Sequence, residues 1–298
     1  MKKALKITGA ILLSLIGMFI IALLLMRFCF RDRVAGLLNE NLRQERIELL
    51  QAAAPYASDT VRFRFAYQQD TARAREIRTY FRLDTLLNPS ATTWDNTLTM
   101  ARFVADNIPH ENQRVQPETR NAIALWEYTR TIEPAFNCRL HSILLHELLL
   151  ASGIINRFVT CLPADPEDND CHVVNIVWLP ERQKWAMIDS DMKAWIADAD
   201  GTPLSLEEMR ERIIDGTPME VRPLADERNE NHYLTYWAKN LYWFECWEKT
   251  GYDKEVNFEG RSIALLPPGF AGFRTDPSTV CTTDAARFWS APETESLR

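Results

Sequence analysis

Outside the first thirty residues, the longest apolar stretch runs from Leu140 to Ala151, interrupted only by His141, Ser142, His146 and Glu147. A helix apolar on most of its circumference belongs in an interior, and Gly153 is the residue type that closes such a helix in the left-handed conformation. The stretch nevertheless opens on polar Asn137 and the thiol of Cys138. Downstream the period changes. "IINRFVTCL" is rich in β-branched and aromatic residues, "PADPEDND" reads as an acidic turn-forming loop, and "CHVVNIVWLPERQKWAMIDSD" reads as two strands joined at Pro180 to Gln183. In the first strand His172, Val174, Ile176 and Trp178 share a face; in the second Trp185, Met187, Asp189 and Asp191 do. A turn of even length pairs even positions with odd ones, so that His172 and Asp189 project together. An odd loop or a bulge separates them, and Asp191 has the same parity as Asp189.

Helical composition recurs from Val34 to Ala54, where Ala35, Leu38, Leu42 and Leu49 fall roughly on one stripe; this segment either packs on the domain or forms a stalk. "TTWDNTLTMARFVADNIPH" offers Thr or Asp as a helix cap and stops before Pro109. "DADGTPLSLEEMRERIIDG" contains an Asp-Gly turn and a capping box, Ser205 with Glu208. Beyond Pro223 aromatics crowd into "HYLTYWAKNLYWFECWEKTGY", as the core of a subdomain or the lining of a groove for sugar or peptide. The expected organisation is a tip and anchor over 1–31, a helical region over 32–93, a core over 94–216 and an aromatic-rich extension over 217–298.

The N-terminus differs from the rest. Lys2, Lys3 and Lys6 precede an uncharged run from Ile7 to Met26, followed by Arg27 and Arg31. Such a run, about 30 Å long as a helix, matches the hydrocarbon thickness of a bilayer. Bulky Met26 and Phe28 stand where a signal peptidase needs small residues, and Arg27 and Phe28 argue against lipid modification of Cys29. The expectation is an uncleaved single-pass transmembrane helix. With Arg27, Arg31 and Arg33 nearly balancing the lysines, orientation rests on the short basic N-terminus, which places residues beyond about 31 outside the cytoplasmic membrane. The 298 residues are 46% hydrophobic and 25% charged, as in a globular protein. A net charge of -7, with no basic cluster outside the N-terminus, excludes a nucleic-acid surface.

A thiol in the first turn of a buried helix has a chemical use: unpaired backbone N–H groups and the helix dipole favour its anion there. An imidazole oriented by a carboxylate takes and returns protons. Cys138, His172 and Asp189 supply these parts in order, 34 and 17 residues apart. The order of elements resembles the transglutaminase-like superfamily, a branch of the papain-like fold. "NCRLHSILLHELLLASGIINRFV" looks like its cysteine helix and the entry to its next strand, with Arg157 and Phe158 at the end; "HVVNIVW" resembles its histidine strand and "KWAMIDSD" its Trp-x-x-x-Asp element. The similarity spans roughly Trp94 to Gly216, and the aromatic extension is reminiscent of membrane-associated bacterial members.

The resemblance implies an α+β fold in which a nucleophile helix packs on an antiparallel sheet. It implies Cys138 as nucleophile, His172 as general base and Asp189 as orienting carboxylate, acting without cofactor or metal on amide bonds of a peptide or protein, by hydrolysis or acyl transfer. A binding or scaffold module that keeps the fold without turnover is the alternative. Phe136 and Asn137 stand where many members have a glycine, and no oxyanion side chain is singled out among Gln113, Gln116 and Trp126. Asp191 competes with Asp189. Cys161 and Cys171 flank the acidic loop as a disulfide or as two thiols. A zinc site from Cys138, His141, His146, Cys161 and Cys171 has poor spacing, since His141 and His146 diverge by about 140° on a helix.

Overall fold

The computed structural model describes residues 12, 14–21, 31–69, 71–224, 230–253, 255, 260–271 and 278–293. The expected span Ile7 to Met26 lies largely outside these residues. Positions 14–21 are helical, and among the described residues no helix is long and apolar enough to cross a membrane.

The helices are α1 (Arg31–Ala52), α2 (Ala72–Phe81), α3 (Thr93–Asn107), α4 (Ala122–Thr131), α5 (Cys138–Ala151), α6 (Leu206–Asp215) and α7 (Glu230–Asn240). The strands of three or more residues are β1 (Asn156–Leu162), β2 (His172–Leu179), β3 (Lys184–Ile188), β4 (Ala194–Ala197), β5 (Glu220–Pro223), β6 (Trp243–Trp247), β7 (Ser262–Leu265) and β8 (Val280–Thr282). Six of them form a mixed sheet in the order β8-β7-β6-β1-β2-β3, while β4 and β5 pair separately. Neighbours in the large sheet are antiparallel except β7 and β8, which run parallel. The chain is thus an α+β fold. Strands from both sides of Gly216 share one sheet, because β6 pairs with β1.

Local chemistry sets the helix ends. Thr92 caps α3 by accepting from the Asp95 N–H. Ser205 and Glu208 form the reciprocal capping box of α6, and Gly216 ends that helix at φ 70°. Asn137 caps α5, its Oδ1 accepting from the Leu140 N–H at 3.1 Å. At the other end Gly153 N–H reaches Leu150 O and Ile154 N–H reaches Leu149 O, a Schellman closure that needs the positive φ of 78° at Gly153.

Helices α2 to α5 cover one face of the sheet and share a core with Phe158, Val173, Val177, Ala186 and Ile188. On the other face Val159, Val174, Ile176, Trp185 and Met187 pack against α6, α7 and Leu50 of α1. Leu144, Leu145, Leu148 and Leu149 of α5 are fully buried, each worth about 1.5–3 kcal/mol. Ser142, His146 and Glu147, three of the four polar residues that interrupt this helix, find hydrogen-bond partners. Ser142 Oγ donates to Val173 O at 2.8 Å, and Asn175 Nδ2 donates to Ser142 O at 3.0 Å. His146 Nδ1 lies 2.7 Å from Asn156 Oδ1. Glu147 accepts from the N–H groups of Ala122 and Asp253, and burial raises its carboxyl to a pKa of about 7.

Helix α1 docks by a face other than its apolar stripe. Leu50 is buried, Arg46 Nη1 donates to Thr235 O and Gln51 Nε2 to Ile214 O, both at 2.8 Å. Leu38, Leu42 and Leu49 remain exposed. Spacing alone locates a stripe, whereas the packed face is chosen by what α6 and α7 present.

Candidate active site

Three elements converge on Cys138. It is the first residue of α5, His172 the first of β2, and Asp189 follows the last residue of β3. Cys138 and Arg139 stand in the first turn of α5, so their N–H groups have no intrahelical carbonyl behind them, while Asn137 Oδ1 takes the Leu140 N–H. Both residues line a cleft of about 750 Å³ together with His172.

The β2–β3 register pairs Asn175 with Ile188 and Leu179 with Lys184, so even positions face odd ones across the turn at Pro180 to Gln183. His172 and Asp189 accordingly meet, Nε2 to Oδ2 at 2.8 Å. Cys138 lines the same cleft as the ring and acts on its protonation in the same sense as Asp189. With Nε2 given to Asp189, Nδ1 is the ring nitrogen that the carboxylate does not use. Burial works against a charge on His172, but Asp189 and Cys138 outweigh it and hold the ring's proton affinity well above that of an ordinary imidazole. Burial likewise opposes the charge on Asp189, yet His172, the Met192 N–H and the Tyr233 hydroxyl together hold its carboxyl below the usual range.

Strand β3 ends at Ile188, and this separates the two aspartates that share a parity. Asp189 and Ala194 exchange both backbone hydrogen bonds at 3.0 Å, closing a tight turn, and Met192 N–H donates to Asp189 Oδ1 at 2.8 Å. Asp191 therefore leaves the strand line. Its Oδ1 lies 2.8 Å from His110 Nδ1 and 3.5 Å from His141 Nε2, so it serves a different imidazole from Asp189. The bond to Asp191 raises His110 against the effect of burial, while burial lowers fully enclosed His141.

The aromatic segment beyond Pro223 supports this couple from the other face of the sheet. Tyr233 Oη donates to Asp189 Oδ2 at 3.0 Å. The rings of Tyr236 and Trp237 each stand 5.4 Å from the His172 ring at 71°. Tyr236 also donates to Asp170 and to Cys171 O, and Lys239 Nζ bonds both Asp168 and Asp170, which clamps the acidic loop onto α7. Trp237, Tyr233 and Phe244 fill a core, while Tyr236 reaches the cleft.

Several candidates lie elsewhere. Gln113 donates to two backbone carbonyls, of Glu111 and Ala135; Gln116 accepts from Arg120; Trp126 stacks on Phe103 at 5.1 Å. Upstream of Cys138, the cleft is lined by His110, Asn112 and Asn137. His110 was not legible as a partner of Asp191, since nothing local links positions 81 apart; Tyr233 carried only the signal of aromatic density. Cys161 and Cys171 are separate thiols, both raised by burial. The five-residue zinc set does not assemble, with His146 engaged by Asn156 and Cys161 packed in the opposite core. Among the described residues His172, Asp189 and Asp191 do offer ligand atoms within 4.8 Å of one another, and two of the three, His172 and Asp189, are hydrogen-bonded to each other.

No protein-family model matches the chain, and no curated protein matches it. Among solved structures, one from Cytophaga hutchinsonii described as a "putative cysteine protease" shares 13% identity at a TM-score of 0.32, over 52% of this chain and 53% of that one. A "putative protease" from Parabacteroides distasonis shares 14% identity at a TM-score of 0.27, over 41% of this chain and 24% of the other. The chain therefore spans about half of the first relative and about a quarter of the second. The functional reading is drawn from the cleft itself.

Proposed function

We propose that the chain is a cysteine-nucleophile enzyme of transglutaminase-like type that acts on amide bonds of peptides or proteins. The observation that carries this reading is one imidazole, His172, hydrogen-bonded to the buried carboxylate of Asp189 and lining the same cleft as Cys138. Cys138 Sγ attacks the carbonyl carbon and its proton passes to His172. The Cys138 and Arg139 N–H groups at the start of α5 receive the negative charge on the carbonyl oxygen, each such donor contributing about 3–4 kcal/mol to the lowering of the barrier. His172 returns the proton to the departing nitrogen, the C–N bond breaks, and a thioester remains. Water or a second amine then resolves it, giving hydrolysis or transfer. Asp189 stays ionised throughout and fixes the ring.

The run Ile7 to Met26 extends the proposal to a membrane-anchored enzyme whose cleft lies outside the cytoplasmic membrane. The test is a screen of wall-type peptides and glutamine-bearing proteins with the full chain, quenched in acid and analysed by intact mass. An acyl adduct on Cys138 in the wild type, absent in Cys138→Ala, is expected. Turnover that persists in Cys138→Ala rejects the assignment.

A further inference from the structure

A histidine and an arginine stand at the cleft that holds Cys138, each in front of a buried carboxylate. His110 is 57% exposed at its side chain, and its partner Asp191 2%. Arg139 is 33% exposed, and its partner Glu255 1%. Both side chains line the cleft that holds Cys138.

Backbone pairing delivers them there. Residue 110 forms a parallel bridge with Phe136, where Phe136 N–H reaches Pro109 O and Glu111 N–H reaches Phe136 O, so the His110 segment runs beside the approach to Cys138. Arg139 is the next residue after the nucleophile. Both side chains are fixed in advance. Asp191 engages Nδ1 of His110, leaving Nε2 as the ring nitrogen not used by the carboxylate. Glu255 takes Nε and Nη2 of Arg139 at 3.2 and 2.6 Å, leaving Nη1. Trp247 Nε1 holds Glu255 at 3.1 Å, with Arg120 3.8 Å away. Asp191 in turn favours the protonated form of His110.

An ion pair that served packing alone would have no need to present its cation to a cleft and hide its anion. Here Arg139 and, when protonated, His110 expose donors while their acceptors are screened, the arrangement that receives a carboxylate through charge-assisted hydrogen bonds. Elsewhere the lining has the opposite bias: Asp170 borders the cleft, and it shares the single ammonium of Lys239 with Asp168. A carboxylate is repelled there, which gives the substrate a direction.

We infer that His110 and Arg139 form an anion subsite beside Cys138, and that the amide substrate carries a carboxylate next to its reactive carbonyl. The inference rests on the amide-directed reading of this cleft and names the substrate class it takes. Binding to the full chain carrying Cys138→Ala tests it, with short peptides compared in pairs: free C-terminus against carboxamide, and Glu against Gln beside the target amide. At low salt the acidic member of at least one pair should bind about tenfold more tightly. His110→Gln, and separately Arg139→Met combined with Glu255→Gln so that no buried carboxylate is stranded, should each cut that ratio to about threefold or less. A ratio near one in every pair, or a ratio unchanged in both variants, overturns the subsite. Since the sulfur is absent from this assay, a preserved ratio with no acyl adduct in the wild-type screen rejects the enzyme reading and leaves the subsite standing.

Discussion

Tyr233→Phe removes one hydroxyl and keeps the ring that packs 6.1 Å from Trp237. That hydroxyl donates to Asp189 Oδ2, the same oxygen that His172 Nε2 approaches, and Asp189 is 1% exposed. A hydrogen bond to a charged group contributes about 1.5–3 kcal/mol, and losing it leaves the carboxylate with His172 and the Met192 N–H. Unfolding free energy at pH 7 should fall by about that amount. The sign of the pH dependence follows from the depressed carboxyl of Asp189. Its contribution is fully present above the unfolded-state pKa and is lost as pH falls through the lower folded value. The gap between wild type and variant should therefore be widest near neutrality and should narrow in acid. Urea unfolding of the full chain, followed by tryptophan fluorescence at pH 7 and again below pH 4, measures both. A loss below about 0.5 kcal/mol at pH 7, or one that does not shrink in acid, refutes the role given to Tyr233.

Asn137→Ala removes the cap of α5 and should cost about 1 kcal/mol in thermal or denaturant unfolding, whereas Asn137→Ser should recover most of it. Asp191→Asn should bring the His110 titration down toward an ordinary imidazole, read by NMR; in the wild type the stability due to this pair is present below the unfolded-state pKa and lost as pH rises through the higher folded one. Lys239→Met releases Asp168 and Asp170 from α7, and limited proteolysis should then cut between Pro163 and Asp170 faster than in the wild type.

Part of the candidate site's geometry was legible because it is built from local rules. The apolar run after Cys138, Gly153 behind it and the even turn at Pro180 to Gln183 set where the sulfur, the imidazole and Asp189 lie. Parity could not separate Asp189 from Asp191, because it holds only while the strand lasts and β3 stops at Ile188. Pairings across long separations left no periodic trace: His110 with Asp191, Tyr233 with Asp189, Arg139 with Glu255. Strands as short as β7 and β8 carry too few residues for alternation to show, so their place in the large sheet emerged only from the structure. On α1 the leucine stripe pointed to the wrong face, since docking there uses Leu50 and hydrogen bonds from Arg46 and Gln51.

The central claim is that His172 activates the sulfur of Cys138, and competitive alkylation measures this directly. Iodoacetamide is offered to the full chain between pH 5 and 8, with exposed Cys281 as the internal reference. Below pH 7 Cys138 should label at least about tenfold faster than Cys281, and His172→Ala should abolish that advantage. Equal rates in the wild type, or an advantage that survives His172→Ala, contradict the account.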